Sequence, residues 1–161
     1  VREIGSKRDG KWGQRLIKIR HLASDAMESL VTRAPREITA ALPVLKLGAF
    51  GGRGPKRPDL ARDPDPMKLD RALIWGKLLA GSTPYAGGGD FYQAHKDAFD
   101  EVSNFLLAYT ESLVVELKTL DFEKRPRAQT FLSHTESLSA AILGHEEAEQ
   151  IRRRVAVVLA R

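Results

Sequence analysis

Residues 90–120, DFYQAHKDAFDEVSNFLLAYTESLVVELKTL, form the stretch whose reading decides the fold. Phe91, His95, Ala98, Val102, Leu106, Tyr109, Leu113, Leu117 and Leu120 recur at three- and four-residue intervals, which is one face of a helix, and Phe99 and Phe105 widen that face. About thirty residues of this pattern predict a helix roughly 45 Å long, enough to span most of a domain. Asp90 stands where a carboxylate can cap the first turn.

Working outward from that helix, each flank carries its own periodicity and punctuation. Upstream, Asp65 and Pro66 are suited to the cap and first position of a helix over 67–80, with Leu69, Leu73 (with Ile74) and Leu78 inward and Gly81 as its terminator. The segment 82–89, STPYAGGG, then reads as a loop. Further back, Leu16, Ile19, Ala23, Ala26, Met27, Leu30 and Val31 predict a helix over 14–32 with those residues on its inner face. Pro35 is placed to open a second, shorter helix over 36–42 that Pro43 ends.

Downstream, Pro126 opens a helix with Ala128, Phe131, Thr135, Leu138 and Ile142 facing inward and Gly144 closing it. The last segment, 145–161, carries Glu146, Glu147 and Glu149 near its start and Arg152, Arg153 and Arg154 later, a polarity that complements the helix dipole. Glu149 is spaced to pair with Arg153. The run Val155, Val157, Val158 and Leu159 is the one segment that strand and helix could share. The expectation is an all-α, single-domain bundle over 1–161 of about six helices with one long central helix.

Two stretches fall outside this pattern. Residues 1–13 form a basic N-terminal segment. Residues 48–65, GAFGGRGPKRPDLARDPD, hold Gly and Pro too densely for a helix or strand and read as a loop or arm.

Composition narrows the function classes. A chain of 161 residues that is 42% hydrophobic and 29% charged buries a core without metal or disulfide staples. It contains no cysteine, which excludes disulfides, thiolate zinc sites, Fe–S clusters and thiol nucleophiles. No apolar run is long enough to cross a bilayer, and the charged start VREIGSKRDGKW lacks the apolar stretch of a secretory signal. No membrane partner and a cytoplasmic location are therefore expected.

Catalytic motifs are incomplete. GKLLAGST at Gly76 to Thr83 has two glycines at Walker A spacing, but Ser82 stands where the phosphate-binding Lys belongs. The four histidines, His21, His95, His134 and His145, lack a His-x-x-x-His pair. Ser133, His134 and Glu136 are near in sequence, yet neighbours on a helix point apart. Ala140 and Gly144 have the spacing of a helix-turn-helix turn, but Glu146, Glu147 and Glu149 would bring negative charge to DNA. No catalytic residue, metal ligand or cofactor is assigned.

Arg127 with His134, and Arg15 with His21, are separated by six and five residues. This spacing resembles the Arg-x4–6-His element of the HEPN ribonucleases, an all-helical family. The resemblance implies metal-independent cleavage, with His and Arg of paired helices around a phosphodiester and the Arg offsetting charge on phosphorus. The polar residue that usually follows the Arg in that family is Ala128 or Leu16 here.

The net charge is +5 and the basic residues cluster: Lys7, Arg8 and Lys11; Arg53, Lys56 and Arg57; Arg152, Arg153 and Arg154. Arg offers forked donors to phosphate, glycine lets a backbone approach closely, and Trp12 and Phe50 lie beside two clusters where they could stack on bases. These nine residues are the candidate anion-binding set. The expected function is a non-enzymatic helical binding subunit of a larger assembly, contacting the backbone of DNA or RNA. The alternatives are a protein–protein scaffold without nucleic acid, and a HEPN-like ribonuclease. A protein partner or oligomer is expected in either binding case.

Overall fold

Five α-helices account for nearly all of the regular structure. The computed structural model describes residues 10–45, 57–119 and 121–159. In chain order they are α1 (Lys11–Thr39), α2 (Pro66–Ala86), α3 (Tyr92–Thr119), α4 (Arg125–Ile142) and α5 (His145–Leu159), with a single 3-10 turn, Phe122–Lys124, before α4. α1 packs on α2 and α3, α4 packs on the same pair, and α5 lies against α3 and α4.

The long helix is as its pattern predicts. Phe91, His95, Ala98, Val102, Leu106, Tyr109, Leu113 and Leu117 are all buried, with Phe99 and Phe105 half-buried beside them, and Leu120 lies outside the described residues. They meet Ile38 within α1, Leu42 just after it, Leu79 from α2, and Phe131 and Leu138 from α4, whereas Ile74 of α2, expected inward, is exposed. The inward residues of α4, Ala128 to Ile142, are buried as well, and Gly144 closes that helix at φ 106°, a conformation that side-chain-bearing residues rarely adopt.

Three boundaries differ from the sequence reading, each because of a tertiary contact. Pro35 does not open a new helix. It lies inside α1, buried against α3 beside Ala94 and Ala98, and packing there outweighs the hydrogen bond that its ring removes. The expected helices over 14–32 and 36–42 are thus one helix, and six become five. Gly81 does not end α2, which continues through Pro84 to Ala86. Ser82 is buried there and donates to the Leu79 carbonyl oxygen at 2.9 Å, and the His95 ring from α3 meets the same oxygen, so tertiary contacts carry α2 past its breakers.

Asp90 does not cap α3. It adopts a left-handed conformation, φ 62°, and its carboxylate is taken by Arg20 of α1 at 3.2 Å. The Asp65 cap is as expected: its side chain accepts from the backbone N–H groups of Met67 and Lys68, at 3.0 and 3.4 Å, with Pro66 at the first helical position.

Of the Gly/Pro-rich segment, 48–56 lies outside the described residues. Its end is held, not free. Leu45 N–H donates to the Arg57 carbonyl at 2.9 Å and Asp59 N–H to the Pro43 carbonyl at 2.9 Å, an antiparallel bridge between Val44 and Pro58. The Tyr109 hydroxyl donates to the same Pro43 carbonyl at 3.2 Å. Burial, with the Asp59 carboxylate nearby, pushes that phenol above its ordinary value, so it stays a protonated donor.

Candidate functional site

The inner face of α1 is only in part the one that its apolar residues predict: Val31 is buried and Met27 packs half-buried against the core. The buried residues are Ser24, Val31, Ala34, Pro35 and Ile38, while Leu16, Ile19, Ala23, Ala26 and Leu30 are exposed. Two apolar stripes wind along this helix, and the bundle uses one. At 3.6 residues per turn the second stripe, Trp12, Leu16, Ile19, Ala23, Ala26 and Leu30, stays within roughly 80° of the circumference.

The reason lies in where α1 meets the bundle. Ser24, its first buried residue, donates its hydroxyl to the Gly89 carbonyl in the turn between α2 and α3. Arg20 reaches the same turn, donating to the Gly88 carbonyl at 2.7 Å. Past that turn neither α2 nor α3 continues, so roughly 20 Å of helix before Ser24 overhangs the bundle. On it Trp12 is 75% exposed, Leu16 64%, Ile19 62%, Leu22 60% and Ile17 50%. Trp12, Leu16 and Ile19 share one side of the overhang while Ile17 and Leu22 face elsewhere, and an exposed apolar stripe on an otherwise folded chain marks a site of association, because removing it from water contributes about 25 cal/mol per Å².

Charge reinforces the asymmetry. Among the described residues, Lys11, Arg15 and Lys18 of this overhang have no carboxylate within ion-pair distance, and the Arg15 guanidinium lies over the Trp12 ring at 5.5 Å. The predicted basic sites fare differently. Lys7, Arg8, Arg53 and Lys56 lie outside the described residues. Arg57 donates through Nε and Nη2 to Glu116 Oε1 at 3.2 and 2.9 Å. Arg152 pairs with Glu136 and with Glu149, Arg153 with Glu149 at 3.7 Å, and Arg154 with Glu111.

The fold does not bring these clusters together. α1 and α3 run side by side in the same direction, since Ser24 meets Gly89 near the start of α3 and Pro43 meets Tyr109 further along. Lys11 therefore sits beyond one end of the bundle, whereas Arg57 and Arg154 attach to Glu116 and Glu111 in the second half of α3. Arg15 and Lys18, which sequence reasoning passed over, join Lys11 instead. The signal was present: residues 11–22 carry Trp12, Leu16, Ile17, Ile19 and Leu22 around more of the helix than one bundle face needs.

The Arg and His that resemble the HEPN element lie apart in environment. Arg127 is tied to the Leu60 carbonyl at 2.7 Å and to Asp63 at 2.6 Å. His134 is 9% exposed, edge-on to Phe131, with Nδ1 buried and without a hydrogen-bond partner. Burial lowers its pKa and favours the neutral ring. Arg15 and His21 both sit exposed on the overhang. The groove between α4 and α5 is lined by Gln129, Leu132, Ser133, Glu136, Ile151, Arg152 and Val155, and neither Arg127 nor His134 reaches it. Among the described residues, no three His, Asp or Glu side chains gather as metal ligands, and no helix is long and apolar enough to cross a membrane.

The chain matches no protein-family model, no curated protein sequence and no solved structure.

Proposed function

We propose that this chain is a non-enzymatic helical binding subunit and that its docking surface is the overhanging first half of α1. The supporting observation is the exposed stripe Trp12, Leu16 and Ile19 on a helix whose second half is anchored in the core through Val31, Ala34 and Ile38. A rigid helix that presents an apolar face beyond its own bundle is the geometry of helix-to-helix recognition, with anchors spaced at three and four residues. This reading ranks the protein–protein alternative above the nucleic-acid one, because Arg57, Arg152, Arg153 and Arg154 already have carboxylate partners.

A second reading keeps an anionic polymer as ligand, with contact to its backbone. It is favoured by Lys11, Arg15 and Lys18, exposed on the overhang next to Trp12. Salt separates the two readings. Phosphate binding weakens steeply as salt rises, whereas apolar docking hardly responds.

The test compares the untagged chain with a Leu16→Glu, Ile19→Glu double variant. Proteins that co-purify with the chain at moderate salt are expected to be lost from the variant while its melting temperature is unchanged. Retention of the same proteins by the variant would overturn the reading. A co-purifying fraction rich in 260 nm absorbance, removed by salt and by Lys11→Ala with Arg15→Ala and Lys18→Ala, would put the anionic-polymer reading first.

A further inference from the structure

We infer that the occupant of the α1 stripe is a second copy of this chain, docked antiparallel so that the first half of each stripe covers the second half of the other. The inference rests on the docking role proposed for α1 and names its partner. The stripe is graded in size along the helix. Its first half holds the large side chains Trp12, Leu16 and Ile19, and its second half holds Ala23 and Ala26 before Leu30.

An antiparallel arrangement about a two-fold axis beside residue 21 sets Ile19 against Ala23 of the second copy, Leu16 against Ala26, and Trp12 against Leu30. Every contact then joins a large residue to a smaller one, and each occurs twice, as a two-fold interface requires. Small residues opposite large ones let the helices approach closely, as interdigitating ridges and grooves do. A parallel arrangement sets Leu16 on Leu16 and Ala26 on Ala26, which crowds one end and leaves a gap at the other.

Charge favours the same orientation. Residues 11–22 contain Lys11, Arg15, Lys18 and Arg20 and no acid, while residues 23–32 contain Asp25 and Glu28 and no Lys or Arg. Antiparallel docking lays the basic half of each helix along the acidic half of the other, a long-range effect only, because Lys18, Asp25 and Glu28 lie more than about 100° around the helix from the stripe. Parallel docking lays like on like. Opposed patches of this kind steer association and set its direction more than they add affinity.

The surface is large enough. The stripe from Trp12 to Leu30 exposes on the order of 600 Å² in each copy, near the roughly 800 Å² per partner of a standard interface. Ala23 and Ala26 are exposed along the same line, so the body of the bundle leaves the seam open.

The test is sedimentation equilibrium of the purified chain from low micromolar to several hundred micromolar, beside Ile19→Glu. The chain is expected to pass from monomer to dimer over that range. Ile19→Glu is expected to stay monomeric with the same helix content and melting temperature, since Ile19 is outside the core. Orientation is read with Leu16→Cys and Ala26→Cys, made separately in a chain that has no cysteine of its own. Mixed and oxidised in air, they are expected to yield mainly the mixed disulfide. A monomer at every concentration, a dimer indifferent to Ile19→Glu, or like-with-like disulfides in the majority would each overturn the inference. If the chain is monomeric throughout while Leu16→Glu with Ile19→Glu still strips co-purifying proteins, self-docking fails and the docking role of α1 stands.

Discussion

The ring Nε2 of His95 on α3 lies 2.9 Å from the carbonyl oxygen of Leu79 on α2 and 3.3 Å from the hydroxyl of Thr83. The two contacts bracket Gly81, with Leu79 before it and Thr83 after it beside Pro84, and the ring stacks on Phe99 with 6.1 Å between centroids. A polar side chain 5% exposed thus joins two helices where α2 is weakest. His95→Ala is expected to cost about 2–4 kcal/mol, a lost buried hydrogen bond plus a cavity. Chemical denaturation would measure it, with His95→Gln losing less. A loss under about half a kilocalorie would mean that the α2 extension stands without the histidine.

Leu106 is fully buried at the middle of the α3 stripe, between Val102 and Tyr109, which are fully buried too. Leu106→Ala is expected to cost about 2–5 kcal/mol in equilibrium unfolding. Leu107, the adjacent residue, is 44% exposed, and Leu107→Ala is expected to stay within about 0.5 kcal/mol. Equal losses at the two positions would refute the assignment of the buried face.

Gly76 lets α2 and α4 approach. A Cβ built there would stand 2.8 Å from Ile142 Cγ1 and 3.0 Å from its Cδ1, and Ile142 is 5% exposed. In an exposed helix Gly→Ala gains up to about 1 kcal/mol, but here overlap with a buried side chain is expected to reverse the sign, for a net loss of about 1–2 kcal/mol. Ile142→Val in the same background is expected to recover part of it. Stabilisation by Gly76→Ala alone would show that Ile142 has room to move.

His134 predicts a pH dependence of stability. Its folded-state pKa is lowered by burial, so between that value and the ordinary value near 6.5 the unfolded chain holds the extra proton. Stability is therefore full above about pH 6.5 and falls as the solution is acidified through that window, at no more than about 1.4 kcal/mol per pH unit for one proton. The measurement is the difference in unfolding free energy between the protein and His134→Leu from pH 5 to 8. That difference is expected to vary on the acid side and flatten above neutrality. A constant difference would show that the ring stays accessible to protons.

Much of this architecture is legible along the chain because it depends on local rules. The α3 stripe, the Asp65–Pro66 start of α2 and the Gly144 end of α4 follow from periodicity and from conformations that Asp, Pro and Gly favour. The breaks expected at Pro35 and Gly81 did not occur. Propensity at those positions amounts to about 1–3 kcal/mol, and burial of Pro35 against α3 and the bonds around the Leu79 carbonyl offset it. Of the candidate binding residues, the clustering of Arg152 to Arg154 was visible. Their carboxylate partners Glu111 and Glu136 were not, being 43 and 16 residues away.

α1 divides the two kinds of information most plainly. Its sequence determined that the segment is a helix with more apolar surface than one face can hold, since composition and spacing alone set that. It did not determine which stripe is buried, because Leu16, Ile19 and Ala23 satisfy the 3.6-residue period as well as Ser24, Val31 and Ile38 do. Only the tertiary structure decided it. The turn that joins α2 to α3 ends at Asp90, where Arg20 and Ser24 anchor α1, and beyond that point the described residues include no second helix against which the first half of α1 could bury its apolar side chains.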